Sequence, residues 1–481
     1  MAMEDLLLTL PTLGILGRYY SVRHALGHYR SDCVTASYSF VRPKDSHSHG
    51  DLRRHLRSFL EWSLQATIRQ HDALLYGISN EKEGLVSPYR QAVKIDREDV
   101  MDIVVSQPEA GESAPDVVLT QTLERLHTGL WPPGKPAWKV VFLEHFDESD
   151  GPRIRLNIAF LAHHAIADGM SGISFHTSLM ENFQNLSKFH DPPPWPMVFP
   201  DGRPSPKQVE EFIDTLCCTC EVCNGSSVDN EPIWGGNVIS SSSPTDFKSR
   251  VRLITIHPKK LSELLRGCKQ SKITLTGLLH GFICASLCHR VKEAPGFRGV
   301  TPFAVRNHTK ASSRDIVNHV SFLTSFVPGT KLQGIRESTP HSATEEHLII
   351  QLAESMGREI ATTVKQFPHG CMTAKISRIE NLEAHCGGQE GKERSCTYEL
   401  SNLGLASSIP LFPDEGLKLE KLVFTQCGMV VGPALSFNCA SVRDGPFTMS
   451  ITWEEGIVEE SLVEYLARDL QQRLENGIHR H

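Results

Sequence analysis

The sequence predicts an α+β protein of two halves, roughly 1–180 and 251–481, joined by an irregular crossover over 181–250. Three observations predict this. Strand-like alternation and helix-like three- and four-residue spacing occur in both halves. The stretch between them is dense in Pro, Gly and Ser. A chain of 481 residues is also too long for one ordinary core.

In the first half, Leu52, Leu56, Phe59, Leu60, Leu64 and Ile68 fall on one face of a helix over 51–70, with Asp51 as its N-cap. Residues 153–161 read as a half-buried strand: Ile154, Leu156, Ile158 and Phe160 alternate with Arg153, Arg155, Asn157 and Ala159. A helix from about Ser174 to Phe183 follows.

The crossover holds Pro192-Pro193-Pro194-Trp195-Pro196, Gly235-Gly236 and the serine run 240–243. It also holds Cys217, Cys218, Cys220 and Cys223. No second Cys/His pair lies near these, so the cluster reads as reduced thiols in a loop and no metal site is expected.

The second half resumes with a strand at Val251–Ile256. A helix follows from Thr274, its cap, through Leu275, Leu278, Leu279, Phe282, Ile283 and Leu287. His280 lies on that helix and reads as a packing or helix-surface residue in preference to a ligand. Val317–Val327 reads as a strand that includes His319. Ser401-Asn402-Leu403-Gly404 reads as a turn. An Asp444-Gly445 turn leads into a strand carrying Phe447, Met449, Ile451 and Trp453. A last helix carries Leu462, Leu466, Leu470 and Leu474.

Composition excludes several classes. Apolar residues make up 40% and charged residues 22%, the ordinary balance of a globular protein, and the net charge of -7 offers no basic surplus for nucleic acid. No run of about 18 apolar residues is present to span a membrane. The first residues are apolar but carry Glu4 and Asp5 and are broken by Pro11, a poor secretory signal. With that, thirteen scattered cysteines fit a reducing, cytoplasmic setting.

The chemistry-bearing feature is His163-His164-Ala165-Ile166-Ala167-Asp168-Gly169, where the 153–161 strand ends. A loop at a strand end aims a side chain into a cleft from a rigid base. A histidine there can take a proton near neutral pH. Asp168 can fix the loop through a charge partner, and Gly169 permits a tight path. Adjacent histidines do not share a helix face, so a helical metal pair is not offered. There is no G-x-S-x-G nucleophile motif and no phosphate-binding glycine loop.

The motif matches the HHxxxDG of the condensation-domain and chloramphenicol-acetyltransferase-like superfamily. Within it the chain resembles the fungal and yeast alcohol O-acetyltransferases. The further segments that carry the resemblance are Leu16–His24 (LGRYYSVRH), Gln70–Leu74, Thr301–Arg306 and Ser401–Gly404. The resemblance implies a pseudo-dimer of two related lobes, each a mixed sheet flanked by helices, with a tunnel between them. It implies transfer of an acyl group, acetyl above all, from a CoA thioester to a small alcohol or fungal secondary metabolite. No cofactor is held; acyl-CoA is the co-substrate.

The resemblance also distributes roles. His164 is the general base, and His163, Asp168 and Gly169 shape the motif. Independently of the resemblance, the tetrahedral oxyanion needs a donor, and the candidates are the Gly169 N–H or a side chain from the other lobe. Asp168 is expected to pair with an arginine. Peptide-synthetase relatives carry one just after the segment matching Gln70–Leu74, where this chain has Leu75, which leaves Arg306 as the fallback. His319, Ser401, Asn402 and Asn438 are candidates to line the tunnel. Alternatives on the same fold are N-acylation, condensation or cyclisation, a carrier-protein donor, and a non-catalytic two-lobed binding module.

Overall fold

The computed structural model describes residues 12–41, 49–79, 81, 89–91, 94–106, 115–145, 153–184, 192–199, 204–213, 231–238, 246–410 and 417–478. Helix α1 (Ile15–Ala25) leads into strand β1 (Asp32–Val41) and helix α2 (His49–Gln70). Strand β2 (Met101–Ser106), helix α3 (Pro115–Thr128), strands β3 (Trp138–His145) and β4 (Arg153–Ala162) and helix α4 (Gly169–Gln184) complete the first half.

The second half contains β5 (Ser249–Ile256), α5 (Pro258–Gln270), α6 (Leu275–Cys288), β6 (Gly296–Ala304), β7 (Val320–Pro328) and α7 (Ala343–Gln366). Four strands, β8 (Tyr398–Leu405), β9 (Leu417–Gln426), β10 (Leu435–Ser441) and β11 (Phe447–Glu454), and helix α8 (Glu460–Asn476) follow.

Two mixed sheets organise these elements. The first runs β9-β1-β4-β3-β2 and the second β7-β6-β8-β10-β11-β5. In the first, β2 and β3 are parallel and the other neighbours antiparallel; in the second, β8 is parallel to both β6 and β10. Strand β9 comes from the second half of the sequence yet pairs with β1, from Asp32↔Gln426 to Phe40↔Leu417. This exchange ties the two halves together at the level of backbone hydrogen bonds.

Each sheet buries its own apolar cluster. Leu60, Leu64 and Ile68 of α2 and Phe175 and Leu179 of α4 pack with Phe142, Ile158 and Phe160 of the first sheet. In the second, α6 is apolar around its whole circumference because it is the central helix: residues 277–288 are all buried. Fully burying a Leu or Phe there contributes about 1.5–3 kcal/mol. Thr274 caps the helix, accepting from the Gly277 N–H at 3.0 Å. Its His280 is enclosed between the Tyr398 hydroxyl at 2.8 Å and the Thr301 hydroxyl at 2.9 Å. No single helix among the described residues is long and apolar enough to cross a membrane.

Several expectations shift. The first long helix begins at His49, so Asp51 lies within its first turn and does not precede it. Helix α4 starts at Gly169, five residues before the expected Ser174, so the motif loop is only six residues long. Strand β7 begins at Val320, leaving His319 in the preceding loop. Ser401–Gly404 lies in strand β8 and makes no turn; Gly404 adopts a φ of 71° where the pairing with β10 shifts register. The side chain of Leu52, the cysteines 217–223, the serine run 240–243 and the first eleven residues lie outside the described residues.

Candidate active site

Strand β4 is held on both sides, by β1 and by β3, and Ala162 pairs with Asp32 and with Trp138. The chain then turns sharply, Ile166 N–H donating to the His163 carbonyl at 3.0 Å. Asp168 ends the turn by capping α4: its Oδ1 accepts from the Ser171 N–H at 2.8 Å. Six residues between a clamped strand and a capped helix leave His164 little freedom.

His164 is 9% exposed and lines a cavity of about 350 Å³. Its Nδ1 lies 2.8 Å from the Ala167 carbonyl oxygen. A carbonyl can only accept, so in the neutral ring Nδ1 carries the proton and Nε2 keeps its lone pair. Tyr20 packs on the ring at 3.9 Å between centroids and Tyr29 at 5.4 Å. The Asn318 side-chain amide donates to the His164 carbonyl. Burial pushes the imidazole down to about 4, against the upward pull of the Ala167 carbonyl and Asp168. The ring is therefore neutral at pH 7, the form that accepts a proton.

His163 points the other way. Its Nδ1 accepts from the Ala165 N–H at 2.9 Å, so its Nε2–H donates to Glu81 Oε1 at 3.2 Å. Glu81 Oε1 also accepts from Ser21 Oγ at 2.9 Å, and its Oε2 from His24 Nδ1 at 2.6 Å. Trp131 N–H donates to His24 Nε2 at 3.0 Å. Burial alone would raise Glu81, but the hydrogen bonds of His163 and His24 outweigh it and hold the carboxyl well below its usual range. The ligand-type atoms of His24, Glu81 and His163 lie within 4.8 Å of one another, a spacing a metal ion could bridge. Every ring nitrogen in the group nevertheless has a hydrogen-bond partner, so the set is complete as an anchor for the motif loop.

Asp168 meets Arg306, whose Nη2 is 2.8 Å from Oδ1. The pair is buried on both sides, and the carboxylate also accepts from the His319 N–H at 3.1 Å. Burial would raise Asp168; Arg306 and the two backbone donors outweigh it and keep the group ionised. Arg306 donates further to the Ser312, Asp315 and Val317 carbonyls. The fallback arginine is thus the one that pairs, and it reaches Asp168 from the second half of the chain. Gly169 opens α4 against that half: a Cβ here would stand 2.6 Å from Leu403 Cδ2 and 3.0 Å from Phe424 Cζ.

The cavity takes walls from both halves: α1, β1 and the motif loop on one side, β6, β7 and β8 on the other. Ser401 and Asn402 line it. His319 and Asn438 stand behind its wall. The His319 ring is held by Thr309 Oγ1 at 2.8 Å and the Lys207 carbonyl at 3.0 Å. Asn438 is wholly buried, and its Oδ1 accepts from Gln426, which does line the cavity, at 2.8 Å. At one end the cavity shares Gln389, Ser395, Val431 and Gly432 with a groove that carries His385, Lys392 and Arg394.

Sequence reasoning missed Tyr20, Arg23, Tyr29, Asp32, Glu81, Glu399 and Gln426. Tyr20 and Arg23 sit in the LGRYYSVRH segment, so the resemblance marked their neighbourhood without a role. The others are single polar residues with no local pattern.

A family model described as alcohol acetyltransferase matches residues 93–195 and 235–469. The protein named "Probable alcohol acetyltransferase FCK4" from Fusarium pseudograminearum is 28% identical over 376 residues, 73% of this chain and 74% of that protein. Among solved structures, the TRI3 trichothecene 15-O-acetyltransferase of Fusarium sporotrichioides superposes with a TM-score of 0.70 at 14% identity, covering 97% of this chain and 94% of that one. The condensation domain of the Monacolin K polyketide synthase MokA superposes at 0.58 with 12% identity, covering 98% of each chain. At these identities the structures establish the shared condensation-type fold.

Proposed function

Because the chain belongs to the alcohol acetyltransferase family, we propose that it transfers an acyl group, acetyl in the first instance, from a CoA thioester to the hydroxyl of a small alcohol or fungal metabolite. The observation that carries this reading is the state of His164: Nδ1–H is committed to the Ala167 carbonyl, and the neutral ring lines a cavity walled by both halves.

In the proposed step Nε2 takes the proton of the acceptor hydroxyl as its oxygen attacks the thioester carbonyl carbon, a contribution of about 10²–10⁴-fold. The tetrahedral oxyanion is met by the Gly169 N–H at the start of α4, where the helix dipole favours negative charge. The carbon–sulfur bond then breaks, and the imidazolium returns its proton to the leaving thiolate. The Ala167 carbonyl and Asp168 favour that transient cation. Both substrates bound in one cavity supply proximity. The adjoining groove, which carries the exposed Lys392 and His385, is the place proposed for the phosphates of CoA.

The same base would serve an amine, and a carrier-protein thioester would present the same carbonyl. The condensation-type fold is the observation that keeps that second donor open. The cytoplasm is the compartment this donor chemistry fits. The test is release of free thiol from acetyl-CoA by the purified protein with a panel of alcohols and amines. Turnover with alcohols supports the reading; release only with amines, or none with any acceptor, rejects it.

A further inference from the structure

Beside the motif loop the cavity carries polar groups that the transfer step does not use. Asp32, at the start of β1, and Glu399, in β8, both line it. Asp32 is 5% exposed, and its Oδ1 has no hydrogen-bond partner among the described residues. Its Oδ2 stands 3.7 Å from His164 Nδ1, which is already given to the Ala167 carbonyl. Asp32 is therefore next to the base without being its orienting partner. Glu399 accepts from Gln426 Nε2 at 2.6 Å, and Gln426 Oε1 accepts from the Tyr29 hydroxyl at 2.8 Å. A buried polar atom without a protein partner carries a cost that an ordered water, an ion or a ligand group offsets, and Asp32 is the acid of this kind whose side chain also borders the cavity beside His164.

We propose that Asp32, with Glu399 as a second acid lining the same cavity, is an acceptor subsite that reads a second hydroxyl. On this inference, which rests on the acyltransferase reading above, the acceptor is a neutral diol or polyhydroxylated metabolite in preference to a simple mono-alcohol. A cationic acceptor fits less well, because Arg23 also lines the cavity and its guanidinium occupies the faces of Tyr19 and Tyr29, 5.5 Å and 5.2 Å from the ring centroids. That cation donates to the Val431 carbonyl at 3.2 Å and makes no ion pair with either acid among the described residues. Burial pushes both carboxyls up, with Asp168 and Glu399 adding to the rise at Asp32. A protonated carboxyl can donate to a hydroxyl as well as accept from it.

The test compares kcat/KM, at fixed acetyl-CoA, for mono-alcohols against the vicinal diols of the same carbon frames, cyclohexanol and its cis diol among them. The wild type should favour the diol by about tenfold or more. Asp32→Ala should bring the ratio toward one, while Asp32→Asn, which keeps a polar partner, should retain part of it. Glu399→Gln gives a second variant should Asp32→Ala fail to fold by circular dichroism; it should lower the ratio too. Equal use of both alcohols, or a diol preference that survives in the folded variants, overturns the subsite and leaves the transferase reading standing. If no alcohol reacts, the transferase reading fails, and calorimetry with each alcohol decides the subsite alone. Diol binding tighter by about tenfold and lost in Asp32→Ala supports it; equal or undetectable binding overturns it.

Discussion

Arg306 and Asp168 stand 138 positions apart in the chain and meet at 2.8 Å in a buried ion pair that fixes the loop carrying His164. Removing one partner would leave the other charge buried and unpaired, a loss of about 3–5 kcal/mol. Arg306→Met should therefore lower the melting temperature together with activity. Asp168→Asn keeps one acceptor oxygen, enough for the Ser171 or the His319 N–H but not both, and loses the ion pair; it should lower both as well, by somewhat less. An Asp168→Asn protein that melts like wild type yet is inactive would assign the carboxylate a direct part in the reaction.

Glu81 anchors His163 and His24 from outside the motif. Glu81→Leu should strip both histidines of their acceptor and lower melting temperature and turnover together. Glu81→Gln, which retains one acceptor oxygen, should fall between that variant and wild type. Parallel melts and turnover numbers check this; full activity in Glu81→Leu would remove His163 from the positioning argument.

If His164 is the base, as proposed, it should leave a signature in pH. Burial holds His164 down to about 4 in the folded protein, so it stays neutral, and able to accept a proton, through the whole neutral range. The kcat/KM profile should be flat from pH 8 toward 5 and bend down only near about pH 4. Circular dichroism at each pH separates this limb from unfolding. A limb near 6.5, the ordinary histidine range, would mean a different titrating group.

Stability has its own acid dependence. Glu345 is buried with Arg473 at 3.0 Å and His289 at 2.6 Å. Burial would raise it, but His289 and Arg473 pull it down to about 2. Its unfolded value is about 4.3. A depressed carboxylate stabilises the fold in full above the unfolded value, and that contribution is lost as pH falls from about 4.3 toward 2. Chemical denaturation across that window should show stability dropping with acid, and Glu345→Gln should flatten that slope.

Much of this was legible in the chain because it is local. The 153–161 alternation located β4, and the apolar run after Thr274 located α6, since a period of two or of three to four is written in consecutive residues. The strand-loop-helix setting of His163–Gly169 was legible for the same reason. What stayed hidden depends on tertiary pairing. Ser401–Gly404 reads as a turn by composition, but flanking strands draft it into a sheet and confine the irregularity to Gly404. His319 looked like a strand residue facing the tunnel; its ring is captured by Thr309 and Lys207 behind the wall. Asp32, Glu81 and Glu399 carry no pattern, and only the pairing of β1 with β9 and β4 brings Asp32 beside His164.

The central claim is that His164 moves the proton, and thiol release by matched single variants tests it most directly. His164→Ala should fold as wild type by circular dichroism and lose turnover with acetyl-CoA and an accepted alcohol by about 10²-fold or more. His163→Ala should lose less. A folded His164→Ala protein with near wild-type turnover, or a larger loss at His163, would contradict the account.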